Sequence, residues 1–170
     1  MDAYLAVVSK REVRRYAERP IDADAERRIL EAGRLAGSSR NRQARRFVVV
    51  RDPALVEDVV QSVYAGDNVR GAALVVAIVT GGKGPTSFDA GRAAQNMMLG
   101  ASNDGIGSCP NGIADAARLQ AAVGHSDDEQ VATILTFGYP ERPRDPGRRS
   151  PEEWIERADR LAYEEVVEER

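Results

Sequence analysis

The run Ala73-Leu74-Val75-Val76-Ala77-Ile78-Val79 constrains this chain more than any other stretch. Seven consecutive apolar residues, most of them β-branched, read as a strand buried inside a sheet rather than as one face of a helix. Such a strand needs neighbours. The chain offers Phe47-Val48-Val49-Val50, which reads as a second buried strand, and Gln130 to Phe137, where Val131, Ile134 and Leu135 dominate. Gly138-Tyr139-Pro140 stops the last of these.

Helices are predicted between the strands. A short one runs from about Asp2 to Lys10 with Leu5 and Val8 on one face, and Glu18-Arg19-Pro20 breaks it. Asp22 is placed to cap a helix reaching about Leu35, with Ile29, Leu30, Gly33 and Ala36 inward. Asp52-Pro53 supplies a cap and first turn for the next, faced by Leu55, Val59 and Val63. Ala65-Gly66-Asp67-Asn68 reads as a turn and Gly81 to Pro85 as a flexible loop. A long Ala-rich helix follows, from about Ser87 or Asp89 to Asp104, closed by Gly105. Ile106 to Pro110 is a short extended piece, and Ala114 to Val123 a short helix with Leu119 and Val123 inward. After a Pro- and Arg-rich connector from Glu141 to Arg149, Ser150-Pro151-Glu152-Glu153 carries the pattern of a capping box. Trp154, Ile155 and Leu161 are the apolar anchors expected of the tail.

Several function classes are excluded. Gly105-Ile106-Gly107 lacks the third glycine of a dinucleotide fingerprint and precedes an extended piece rather than a helix. Gly81-Gly82-Lys83-Gly84 has no Ser or Thr after its lysine and is not a phosphate-binding P-loop. With one cysteine and one histidine, no internal disulfide, metal cluster or His-dependent catalytic unit is expected. His125, within the polar stretch His125-Ser126-Asp127-Asp128, reads as a solvated loop residue. The 170 residues, 42% hydrophobic, suit one domain spanning 1–170. Charged residues make up 30% of the chain but sum to −3, which argues against a general polyanion binder; no nucleic-acid partner is expected. No apolar run approaches the roughly 20 residues needed to cross a bilayer, and no signal pattern opens the chain, so a soluble cytoplasmic protein without a membrane partner is expected.

One local cluster stands against that balanced charge. Lys10-Arg11-Glu12-Val13-Arg14-Arg15-Tyr16 places four cations in seven positions. A second pair, Arg148-Arg149, precedes the capped serine. Cations of this kind can grip a phosphate through charge-assisted, bidentate bonds. They can equally be surface arginines answering an acidic protein, and charge alone favours that plainer reading.

The order of several motifs resembles the nitroreductase family of flavin enzymes. They are Ser9 to Tyr16; Ser38-Ser39-Arg40-Asn41-Arg42-Gln43 before the strand at Phe47; Asp89 to Asn96 on the long helix; Gly105 to Pro110; and Phe137-Gly138-Tyr139-Pro140 running on to Arg148-Arg149. The resemblance implies an α+β fold, with a central mixed, mostly antiparallel sheet wrapped by helices. It also implies a homodimer with FMN at the interface, the tail of about 150–170 being a candidate to pack on the partner.

By position, Lys10, Arg11 and Arg149, helped by Arg148, would hold the FMN phosphate, and Arg14 would lie by the N1 and O2 edge of the flavin. Ser38, Ser39 and Asn41 would reach the flavin from the partner subunit. Backbone groups of Pro110, Asn111 and Gly112 would lie under the ring, with Cys109 a small packing residue beside it. The resemblance further implies ping-pong chemistry in which NADH or NADPH delivers hydride to flavin N5. A small acceptor such as a nitroaromatic or quinone then collects the electrons, with no side chain as acid or base and no metal.

Three departures bear on this. Glu12 stands among the cofactor positions where the family has a phosphate-bonding serine, Ala44-Arg45 replaces an apolar pair, and Gly81 to Ser87 is short where longer members insert a roof. Glu12 favours the alternative of a non-catalytic or degenerate FMN-binding dimer. A specialised flavin dehydrogenase or dehalogenase is the other alternative on the same fold.

Overall fold

The computed structural model describes residues 2–124 and 126–170, so the expectation for His125 lies outside the described residues. The apolar run becomes β2 (Leu74–Gly81), buried at every residue but its last. It lies inside a four-stranded sheet ordered β1-β2-β4-β3, with β1 Arg45–Val50, β3 Gly107–Asn111 and β4 Glu129–Gly138. All three pairings are antiparallel. β1 is an edge strand and only half-buried over most of its length, which departs from the buried strand expected of Phe47 to Val50.

Side chains of β2 alternate between two cores, as strand geometry requires. Leu74, Val76 and Ile78 join Ala25, Ile29, Ala94 and Met97 on one face. Val75, Ala77 and Val79 join Val59, Val60, Leu119 and Val123 on the other. The helices behind these faces are α2 (Ala23–Arg34), α3 (Pro53–Ser62), α4 (Gly66–Arg70), α5 (Thr86–Asn103) and α6 (Ala116–Val123). α2 begins where Asp22 accepts the Ala25 N–H at 2.8 Å. Leu55, expected inward on α3, is 39% exposed because the buried face centres on Val59 and Val60. α4 forms where a turn was expected.

These elements belong to one compact unit, Arg11–Arg144. The ends of the chain, up to Lys10 and from Asp145, form a second. It holds α1 (Ala3–Ser9), α7 (Pro151–Glu156) and α8 (Tyr163–Val166). The predicted capping box is present: Ser150 accepts from Glu153 N–H at 3.3 Å, and Glu153 accepts from Ser150 N–H at 2.8 Å. Trp154 is buried and donates its indole N–H to the Pro146 carbonyl at 2.9 Å. Ile155 and Leu161 are 49% and 68% exposed, so Trp154 alone of the three expected anchors is buried. No helix among the described residues is long and apolar enough to cross a membrane.

Candidate functional site

Residues 11–15 form neither helix nor ladder strand, yet the segment as far as Ala17 is held on both sides. Val13 N–H donates to the Ser108 carbonyl at 2.9 Å, and Ala17 N–H to the Tyr139 carbonyl at 2.8 Å. Tyr16 makes an isolated antiparallel bridge with Pro140. Two glycines permit this close fit. A Cβ on Gly107 would stand 2.7 Å from Val13 side-chain carbons, and one on Gly138 would meet the Tyr16 ring. Gly107 and Gly138 thus have a mechanical role: backbone must approach where any side chain would collide.

Tyr16 points inward while Glu12, Arg14 and Arg15 are exposed. The Tyr16 hydroxyl lies 2.7 Å from the Val13 carbonyl and 3.0 Å from Thr136 Oγ1. Burial pushes its phenol far above the ordinary tyrosine range, and the Thr136 hydrogen bond offsets this only partly. Tyr16 is therefore a neutral hydroxyl.

Outside this anchor, Glu12, Arg14 and Arg15 line an open cavity of about 340 Å³ with Pro140, Glu141, Arg142 and Arg144. Four guanidinium groups face two carboxylates there. None of the four makes an ion pair among the described residues, unlike Arg28 with Asp104, Arg46 with Glu129, Arg51 with Glu26, Arg70 with Glu57 and Arg118 with Asp58. Arg142 and Arg144 passed as connector residues in the sequence, and only the Tyr16–Pro140 bridge brings them beside Arg14.

Of the segment expected to lie under the flavin, Pro110 and Asn111 are the last residues of β3, paired with Leu135 and Ile134, and Gly112 follows them. Pro110 and Gly112 are exposed and Asn111 is buried between them. Gly112 accepts the Tyr64 N–H at 3.1 Å, and Val63 bridges Ile113. Asn111 turns its amide inward onto Asn68, whose Nδ2 donates to it at 2.7 Å. Cys109 is also buried, and its thiol donates to the Pro110 carbonyl at 3.3 Å. That geometry suits a packing residue.

The loop carrying Ser38, Ser39 and Asn41 is held by its own bonds. Ser38 Oγ accepts from Gln43 N–H at 2.9 Å, and Ser39 N–H donates to the buried Asp89 carboxylate at 3.1 Å. Arg40, Asn41 and Gln43 all adopt positive φ, between 53° and 55°, an unfavourable state for side-chain-bearing residues that recurs at functional sites. In the smaller unit, Lys10 caps α1 through its backbone, Arg148 is exposed, and the Arg149 guanidinium lies 5.0 Å from the centre of the Trp154 ring. No group of three or more His, Cys, Asp or Glu able to hold a metal occurs among the described residues.

Known proteins resemble this chain over most or all of its length. In Archaeoglobus fulgidus, a protein named "Putative NADH dehydrogenase/NAD(P)H nitroreductase" is 28% identical over 149 residues, covering 82% of this chain and 86% of its own. A protein of Desulfovibrio desulfuricans, solved in complex with FMN, is 27% identical with a TM-score of 0.83, covering 100% of this chain and 98% of that one. A nitroreductase family protein from Clostridium difficile 630 shares the fold at 20% identity, with a TM-score of 0.83 over 99% and 98% of the two chains. The sequence profile of the Nitroreductase family matches residues 7–81 and 64–139. That match takes in the arginine segment, the Ser38 loop and the turn at Pro110, and the chain belongs to the nitroreductase family.

Proposed function

We propose that this chain is an FMN-dependent oxidoreductase. It draws electrons from NADH or NADPH and reduces a small acceptor, such as a nitroaromatic or a quinone, as a homodimer. The observation that carries the reading is the cavity outside Tyr16, where four guanidinium groups outnumber two carboxylates. A bound anionic cofactor gives such a cluster its counter-charge. The donor set fits FMN: cations for a phosphate and for an electron-rich ring edge, exposed main chain at Pro110 and Gly112, and a loop with positive φ at Arg40, Asn41 and Gln43 that is bonded to Asp89.

Within the larger unit, Arg11 is assigned to the phosphate and Arg14 to the N1 and O2 edge of the ring, where a fixed cation favours negative charge. Lys10, Arg148 and Arg149 keep the phosphate role that the resemblance gives them. Ser38, Ser39 and Asn41 are assigned to the flavin of the partner subunit, and the main chain of Pro110 to Gly112 to the face of the ring. When bound, FMN supplies the two-electron chemistry. The protein's own residues bind, orient and bias it, and the buried, neutral Tyr16 takes no part as acid or base.

A second reading, a binder without turnover, is favoured by Glu12 in the cavity wall. One experiment separates the two. The purified protein is loaded with FMN and its visible spectrum recorded before and after NADH or NADPH is added without oxygen. A yellow protein that bleaches supports the oxidoreductase, and one that stays yellow supports the binder. A protein that rejects FMN overturns both.

A further inference from the structure

Beneath the outward-facing residues runs a buried chain of hydrogen bonds that the cofactor assignments leave without a role. The Tyr16 hydroxyl meets the Val13 carbonyl at 2.7 Å, and that carbonyl belongs to the peptide unit carrying the Arg14 N–H. It also meets Thr136 Oγ1 at 3.0 Å. Thr136 Oγ1 lies 3.2 Å from Asn68 Oδ1, 3.2 Å from the Cys109 carbonyl and 3.3 Å from Asn111 Nδ2. Asn111 accepts from Asn68 Nδ2 at 2.7 Å and donates to the carbonyls of Cys109 and Ile134, each at 3.2 Å. All four side chains are buried.

Apolar residues of similar shape could fill this space, and exchanging both partners of a buried hydrogen bond for apolar groups is often nearly neutral. The β3–β4 ladder sets the strand register; what the polar quartet adds is a directional side-chain lock across it, because displacing any member leaves others short of partners. The two segments so linked are Arg14 and the Pro110–Gly112 turn, far apart in sequence. Main-chain bonds tie them as well, from Val13 to Ser108 directly and through β4, which pairs with Pro110 and Asn111 and leads into the Tyr16–Pro140 bridge; the quartet is the side-chain link laid over these.

We propose that Tyr16, Thr136, Asn111 and Asn68 are positioning residues that set the Pro110–Gly112 turn against Arg14, and so set the binding geometry of FMN; this rests on the FMN reading above. None of the four acts as a reactant.

The test uses the full chain with Thr136→Val, which removes the hydroxyl at nearly constant shape, and Thr136→Ser, which restores it. Two readouts are taken: amide hydrogen exchange at residues 111–113 in FMN-free protein, and the Kd and absorption-band shape of bound FMN. Thr136→Val is expected to speed exchange at the turn about tenfold relative to α2 amides and to weaken FMN about tenfold, the effect of losing one buried hydrogen bond. It is also expected to shift the flavin band, and Thr136→Ser to recover all three. A Thr136→Val protein with the wild-type band, wild-type Kd and no selective exchange at the turn overturns the proposal, even if its Tm falls. Should Thr136→Val not fold, Tyr16→Phe carries the same readouts, since it keeps the ring over Gly138. Should the wild-type chain reject FMN, the functional reading fails by itself, while exchange in FMN-free protein still decides whether the quartet holds the turn.

Discussion

The ring of Tyr16 lies so close over Gly138 that a Cβ on the glycine would stand 2.8 Å from both Cγ and Cδ1. The ring cannot swing aside, because its hydroxyl is pinned at Val13 and Thr136. Gly138→Ala is therefore expected to destabilise the protein by about 1–3 kcal/mol through overpacking. Gly33→Ala on α2 is the control. Its Cβ would meet Met97 at 2.8 Å, but a flexible thioether can yield, and alanine gains about 1 kcal/mol of helix propensity. Urea denaturation of both variants checks the contrast, and equal losses would contradict it.

Arg14 and Arg149 should fail differently. Arg14→Ala is expected to slow reduction of bound FMN by NADH or NADPH more than it weakens FMN binding, because its assigned partner is the ring edge. Arg149→Ala should mainly raise the Kd for FMN. Rapid-mixing reduction rates set beside titrated Kd values decide this, and equal changes in both quantities for both variants would remove the assigned roles.

Glu12 lines the same cavity as Arg14 and Arg15. A carboxylate near a bound phosphate costs binding energy, on the order of 1 kcal/mol at solvent-exposed distances. Glu12→Ser is expected to tighten FMN by about fivefold, with a smaller gain at high salt because screening already weakens the repulsion. Fluorescence titration of FMN at two salt concentrations is the measurement. Unchanged affinity would mean that Glu12 turns away from the phosphate.

At the opposite edge of the sheet, Arg46 hydrogen-bonds Glu129 at 3.0 Å. That contact is the main cause of the Glu129 carboxyl falling from its usual 4.5 to about 2, with Ser126 helping. The folded value lies below the unfolded one, so this contribution is fully present above about pH 4.5 and lost as pH falls towards about 2. Arg46→Gln should lower Tm modestly at neutral pH, as expected of a solvent-screened pair, and the gap to wild type should close between those two pH values. A gap independent of pH would assign the loss to packing instead.

Local signals in the sequence carried a long way. Asp22 and the Ser150-Pro151-Glu153 pattern cap their helices as predicted, because a cap involves residues three or four apart. The two sides of the Ala73 to Val79 run are legible for the same reason. What escaped depends on distant partners. Gly66-Asp67-Asn68 has the composition of a turn, yet it forms α4, with Asn68 buried against Asn111, 43 residues on. Leu55 lost the inward position that periodicity assigned to it because the sheet receives α3 through Val59 and Val60. Arg142 and Arg144 join the candidate site through one bridge after β4, and nothing in their immediate neighbourhood announces it. Thr136 could have been suspected, as a polar residue inside an apolar strand, but its partners could not.

The bond between Tyr16 and Thr136 spans 120 residues. A ribosome adds about 5–20 residues per second, so on the order of ten seconds separates the synthesis of its two ends. Throughout that interval the arginine segment lacks the part of its seat that β4 and Tyr139-Pro140 supply. Contacts this remote in sequence also pay their loop-closure entropy before any reward arrives. The wall that gathers the cations is thus among the last parts of the molecule to be completed. Nascent chains arrested before Thr136 should leave Arg14 and Arg15 open to trypsin, and chains released beyond Glu141 should protect them.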